Sequence, residues 1–396
     1  MIAVNNESGF WPTRSQELIL RAALLQGDEA IDAWKEWKQT TNIDVLDFGS
    51  HRMIPQLYRN LLDHGVRDPL MEKFKGVYRY YLYKNERLLN ATSKVLSSFH
   101  EAGIDTILLK GCALVSLYYE EPGRRPMQDA DILVRVQHAS AAMALLGRLG
   151  WSSALGGPAP EKWIPIRHSI PFADEEGRQI DLHWHLLWEC WHAGDTDYWD
   201  TAIPITFRGL PALAVSPTNQ LLHTIWHGAR WNEVPPIRWI ADAMAILNSS
   251  QTDIDWDLIV EKVRRHRIVL AFRDSLSYLK SALHAPVPPE VIKSLQAVRV
   301  SRMDRISYAA ASNPLASPDT RRILEQLLYD YLWLTSSTSG RPRSFAYARF
   351  LQFKWGIEHL WQMPFYLLFR TVLRAFRSRT GNNTRQAPSA TGESGV

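Results

Sequence analysis

The chain has 396 residues, 46% of them hydrophobic and 22% charged, and a formal net charge of +4. These proportions exclude wholesale disorder and collagen-like repeats, and Cys112 and Cys190 alone cannot make a disulfide scaffold or a cysteine-rich zinc site. So small a charge does not by itself argue for nucleic acid. Two domains, or one large domain with additions, are expected at this length. Residues 1–16 lack the basic and apolar regions of a secretory signal, and no run of about 18 apolar residues suggests a membrane span, so the expectation is a cytoplasmic protein.

The first hundred residues carry apolar positions at helical spacing. Ser15 to Lys38 reads as helix, followed by a stripe of Ile54, Leu57, Tyr58, Leu61 and Leu62. Lys73 to Ala102 reads as one long helix or two short ones, closed by Gly103. The pattern then changes. Ile104–Leu109 is a short β-branched apolar run, and Gly111 and a short helix from Cys112 to Tyr119 follow it. A turn-rich loop from Glu120 to Pro126 leads into a second strand, Asp129–Val136. Ala139 to Leu149 is helical; Pro165–Ala173 and Arg178–Leu187 read as a hairpin about the turn Asp174–Gly177. Beyond Pro217 the pattern is helical, and the polar tail from Gly381 is expected to be disordered. The fold class is therefore α+β: a small mixed sheet flanked by N-terminal helices and a C-terminal helical region. The segment limits are 1–102, 103–215, 216–380 and a tail of 381–396.

Chemistry concentrates in the central segment. Side chains alternate along a strand, so Asp129 and Asp131 share a face with their Cα atoms about 6–7 Å apart. Two carboxylates so placed repel each other, and hard oxygens at that separation suit a divalent cation such as Mg²⁺. The bland alternative has one acid capping a turn and the other solvated. In Gln179–Leu186, alternation puts Asp181, His183 and His185 on one face. If that strand pairs beside Asp131, three carboxylates converge, as phosphoryl and nucleotidyl transfer require. Leu109-Lys110-Gly111 ends a strand at a helix N-terminus, where backbone N–H groups favour phosphate. Lys110, Arg124 and Arg125 could neutralise a triphosphate.

In order, Lys110-Gly111-Cys112, Asp129-Ala130-Asp131-Ile132 and Ile180-Asp181-Leu182 resemble the hG[GS], Dh[DE]h and h[DE]h motifs of the DNA polymerase β-type nucleotidyltransferase superfamily. The stretches Leu108–Leu114, Tyr119–Val134 and Asp181–Trp184 are similar to a bacterial family of uncharacterised nucleotidyltransferases. The resemblance implies that Asp129, Asp131 and Asp181 ligate Mg²⁺ or Mn²⁺, and that Asp181 helps deprotonate the acceptor. It also implies that Gly111 admits the triphosphate of an NTP, ATP first. Cys112 replaces the usual Ser or Gly, and a thiol is a poorer partner for phosphate than a hydroxyl. His183 faces the acids and could touch phosphate or acceptor, or serve as a structural hydrogen-bonder.

The expected activity is transfer of an NMP group from an NTP to an unidentified small-molecule, peptide or protein acceptor, with pyrophosphate released. Two other readings stay open: a non-catalytic, antitoxin-like protein binding a nucleotide or partner, and a phosphohydrolase using water. His223 and His227 have a spacing that can hold zinc but lack the Glu of H-E-x-x-H. The basic, aromatic region from Arg341 to Arg385 reads first as a solvated helix face, then as a peripheral membrane contact, and last as a nucleic-acid contact.

Overall fold

A capping box opens the first helix. The Thr13 hydroxyl accepts from the Gln16 N–H while the Gln16 side chain accepts from the Thr13 N–H, starting α1 (Arg14–Leu24). The Asn60 side-chain amide donates to the Ala22 and Leu25 carbonyls and so terminates it. Gly27, at φ +65°, then redirects the chain into α2 (Gly27–Thr40). The single helix expected over Ser15–Lys38 is thus two, because the turn is fixed by an amide 35 residues or more away in sequence. A single turn, α3 (Phe48–His51), leads to α4 (Ile54–Asp63), and α5 (Leu70–Glu101) is one unbroken helix of 32 residues. In this computed structural model, the described residues are 10–154, 161, 164, 167–186, 196–229, 236–250 and 252–302. Positions 304, 305, 308, 357, 359–366, 368 and 369 are also described.

The sheet begins with β1 (Thr106–Leu109), which runs straight into α6 (Lys110–Leu117). After the loop come β2 (Asp129–Val134), α7 (Ala139–Arg148) and β3 (Ser152–Ser153). The hairpin is β4 (Ser169–Ala173) and β5 (Gln179–His183), shorter at both outer ends than the sequence suggests. Its turn is held by Asp174, whose carboxylate accepts from the Glu176 and Arg178 N–H groups, with Gly177 at φ +72°. A short α8 (Thr196–Asp200) precedes a second hairpin, β6 (Ile203–Phe207) and β7 (Leu210–Ala214). Sequence reasoning misses this hairpin. Pro204 and Pro211 argue against strands, and its turn, Arg208-Gly209 with both φ positive, lacks the usual Asn or Asp before glycine.

The seven strands lie in the order β3-β4-β5-β2-β1-β7-β6. The β5–β2 and β1–β7 pairs are parallel and the remaining pairs antiparallel. One face of the sheet, with Leu108, Ile132, Val134, Ile180 and Leu182, packs on Leu88, Val95 and Phe99 of α5 and Met143 and Leu146 of α7. The other presents Ile107, Leu109 and Leu133 to a larger core. That core joins α1, α2 and α4 to five later helices: α9 (Pro217–Gly228), α10 (Arg238–Leu247), α11 (Trp256–Arg265), α12 (Val269–Leu283) and α13 (Pro289–Ala297). Helices before and after the sheet segment therefore share one apolar interior.

Residues 1–329 form one compact unit and 330–396 a second. Of the second unit, the described part is a helical turn at Leu360–Gln362 and helical positions just beyond it, with Trp361, Phe365, Leu368 and Phe369 exposed. Most of the basic region 341–385, the tail 381–396, Cys190 and the helix expected over 320–335 lie outside the described residues. Among the described residues no helix is long and apolar enough to cross a membrane.

Candidate active site

Register brings the acids together. In the parallel β2–β5 pair Asp131 stands opposite Asp181, and in the antiparallel β1–β2 pair it stands opposite Leu109. Asp129, Asp131, Asp181 and His183 consequently share the face that carries Leu133, at the end of the sheet where β1 becomes α6. Lys110 occupies that junction in a left-handed conformation, φ +40°, which costs a non-glycine residue about 1 kcal/mol or more. The bend delivers its Nζ to Oδ1 of Asp131 at 2.5 Å.

His183 closes the cluster. Its Nε2 lies 3.2 Å from Oδ1 of Asp131 and 3.0 Å from Oδ2 of Asp181, while Ser169 on β4 donates to the same Asp181 oxygen at 3.1 Å. Its Nδ1 faces the His185 carbonyl, 3.3 Å away, and the His168 ring lies edge-on with centroids 5.4 Å apart. His185 itself falls beyond the end of β5 rather than on the acidic face.

The electrostatics separate the three carboxylates. Burial by itself would raise Asp131, but the Lys110 ammonium and the His183 imidazole hold it far below the usual carboxylate range. Asp181 is likewise lowered: burial opposes the shift and His183 outweighs it. Asp129 goes the other way, raised first by burial and then by the charge of Asp131. Burial disfavours the imidazolium of His183, yet Asp181 and Asp131 raise its pKa to about 9. The cluster thus sets three carboxyl groups beside Lys110 and His183, with Asp129 pushed the opposite way from Asp131 and Asp181.

Among the described residues, Asp131, Asp181 and His183 are the one group of three or more side chains able to hold a metal ion, their ligand atoms all within 4.8 Å. Oδ1 of Asp181 is buried with no hydrogen-bond partner among the described residues, a costly position unless something else satisfies it. Hard carboxylate oxygens and this orphaned atom fit a divalent cation. Asp129 stands beside the group rather than in it. His223 and His227 on α9 pack edge to face, 6.1 Å between centroids, and form no such group.

The remaining residues expected at the site are placed as follows. Gly111 begins α6 beneath the loop before β2, where a Cβ would come within 2.9 Å of Arg125 Nη1 and Met127 Sδ. Its lack of a side chain lets that loop approach. Cys112 is fully buried in the apolar layer against α5, and that burial pushes its thiol pKa up. Arg124 pairs with Glu120 at 3.0 Å. Arg125 is buried in a two-bond pair with Asp242 of α10, at 2.7 and 2.8 Å, and the Tyr119 hydroxyl donates to the same carboxylate. Both arginines are thus already neutralised by carboxylates. Asn85 on α5 holds the loop, donating to the Pro122 and Arg125 carbonyls and accepting from the Met127 N–H.

One contributor escapes the sequence reading. Ser169 could have been found by counting back through the β4–β5 hairpin, which places it opposite His183. Arg238 belongs to the segment Arg238-Trp239-x-x-Asp242, whose sequence is similar to the nucleotidyltransferase family, but its bond to the Pro126 carbonyl at 2.7 Å spans 112 residues and is not visible locally.

No curated protein matches this chain. Three solved structures match it at low similarity. The lincomycin-bound lincosamide antibiotic adenylyltransferase LnuA is 17% identical, covering 40% of this chain and 94% of its own, with a TM-score of 0.29. The antibiotic-resistance factor ANT(2'')-Ia is 15% identical over 50% of this chain and 98% of its own, at 0.33. An antigenic nucleotidyltransferase-like protein from Paracoccidioides brasiliensis is also 15% identical, over 55% and 95%, at 0.33. A family model covers residues 48–284, from α3 through the sheet to the end of α12, and by that match the chain belongs to the uncharacterised nucleotidyltransferase family.

Proposed function

We propose that the chain transfers an NMP group from an NTP, ATP first, to an acceptor hydroxyl or other nucleophile and releases pyrophosphate. The observation that carries this reading is the in-register parallel pairing of Asp131 with Asp181, which gathers acids, Lys110 and His183 on one face of the central strands. Asp131 and Asp181 would hold Mg²⁺ or Mn²⁺, with Asp129 alongside. When bound, the cation would supply charge neutralisation and polarise the phosphoryl oxygens.

Lys110, already on Asp131, is placed to move its charge onto the polyphosphate. Asp181, ionised and with one oxygen free of partners, would accept the acceptor's proton, while His183 and Ser169 fix its orientation through the other oxygen. The helices α1 to α5 and α9 to α13 around the sheet would shape the acceptor pocket, whose ligand class we take to be a sugar or natural-product hydroxyl or a polypeptide side chain. The test is ATP turnover with Mg²⁺ against a panel of such acceptors, followed by pyrophosphate release and by the mass of one AMP added. Asp131→Asn should lower the rate by ~10²-fold or more. Free AMP without adduct would instead favour hydrolysis.

A second reading has one specific observation behind it. Lys110 and His183 already neutralise most of the acidic charge, as a nucleotide- or partner-binding regulator without catalysis would require. ATP binding without any pyrophosphate release would select it.

A further inference from the structure

Around Asp129 the protein gathers three guanidinium groups from separate elements: Arg52 after α3, Arg125 in the loop and Arg238 at the start of α10. Asp242 is committed to Arg125 and Tyr119. Arg52 and Arg238 are left with Asp129 as their nearest uncommitted carboxylate, and with the Tyr81 phenol of α5 beside Arg52.

The shortfall is visible in the bonding. Nη2 of Arg52 is buried without a hydrogen-bond partner among the described residues, although its guanidinium stacks over the Phe48 ring at 4.3 Å. Arg238 uses one nitrogen on the Pro126 carbonyl. Burial disfavours the charge of both arginines; Arg125 and Arg52 add to this at Arg238, whose pKa falls to about 10. Clustered, partly dehydrated guanidinium groups in excess over carboxylates are costly until an anion joins them, and their planar forks match phosphate oxygens. Both side chains are half-buried, so part of each still reaches the surface.

We propose that Arg52 and Arg238, with Arg125 behind them, form a binding site for a phosphate-bearing ligand beside Asp129. The phosphate belongs either to the polyphosphate tail of the nucleotide or to a phosphorylated acceptor. The chemistry is the same for both. The site stands apart from the transfer reading, because anion binding here needs no turnover.

The test is calorimetric titration of the full chain with inorganic pyrophosphate in EDTA. Saturable binding is expected, weakened about tenfold or more by Arg52→Gln and further by Arg238→Gln, as loss of a charged hydrogen-bond donor implies. Arg238→Lys keeps the charge and a donor for Pro126, and should retain binding if Arg238→Gln is lost through misfolding. No pyrophosphate binding, or equal affinity in wild type and a natively melting Arg52→Gln, overturns the site. A titration of ATP into pyrophosphate-saturated protein separates the sources. Competition assigns the arginines to the nucleotide tail, and simultaneous binding assigns them to the acceptor. Pyrophosphate binding that depends on these arginines without any NMP transfer would keep the site while removing the proposed reaction.

Discussion

Asp242→Asn tests whether Arg125 is held as a structural cation. The two side chains are 5% and 6% exposed and joined by bonds of 2.7 and 2.8 Å, with Tyr119 as a third partner at 2.8 Å. The amide preserves shape but removes the charge that neutralises a buried guanidinium. Losing one member of such a pair costs about 3–5 kcal/mol, which for a unit of this size lowers the melting temperature by roughly 4–7 °C. The assay is thermal unfolding of full-length wild type and variant, followed by near-ultraviolet circular dichroism. Replacing both partners, Arg125→Met with Asp242→Leu, should recover most of the loss, since two apolar side chains leave no charge behind. A melting temperature for Asp242→Asn within about 1 °C of wild type would refute the reasoning, because the expected cost leaves no room for so small a change.

Other expectations follow from packing and charge. Gly228→Ala places a Cβ 2.2 Å from Trp239 Cγ, where α9 crosses α10, and should destabilise by about 3 kcal/mol or more in urea unfolding. Gly147→Ala in α7 meets nothing within 4 Å and should stabilise by about 0.5–1 kcal/mol in the same assay. His183 is raised from 6.5 to about 9 by burial opposed and outweighed by Asp181 and Asp131, with Lys110 and His168 as its other neighbours. Its contribution is therefore complete below about pH 6.5 and lost as pH rises through about 9, an effect of at most about 3 kcal/mol. Urea midpoints at pH 6 and pH 9 should converge in His183→Gln, and an equal slope in wild type and variant would exclude this origin. Asp131, lowered on folding, contributes above about pH 4 and should make the protein acid-sensitive below it.

Much of this was legible because the chemistry sits on strands. Period-two alternation put Asp129 and Asp131 on one face of their strand, and Asp181 and His183 on one face of theirs, without any knowledge of pairing. The parallel register that sets Asp131 against Asp181 was not legible, since the two strands are separated by a helix and two further strands. Arg124 and Arg125 looked like phosphate ligands because a sequence does not show which charges pair: Glu120 lies four residues before Arg124 in the same loop, and Asp242 comes from a distant helix. Cys112 looked like a departure at a phosphate loop, whereas its side chain points into the apolar layer, where a thiol is at home. The missed hairpin Ile203–Ala214 reflects edge-strand prolines, which local propensity reads as breakers.

The pairing of Arg125 with Asp242 also orders events in time. A ribosome adding about 5–20 residues per second needs roughly 6–23 s to extend the chain by the 117 residues between them. All six central segments of the acidic cluster, from Lys110 to His183, have been synthesised by then, yet the arginine that closes over Gly111 still lacks its counter-charge. A nascent chain halted before α10 would hold a half-built site around a cation it cannot bury. The acidic edge is thus finished late, when the helix bearing Asp242 and Arg238 arrives, and the same helix brings the phosphate-seeking guanidinium with it.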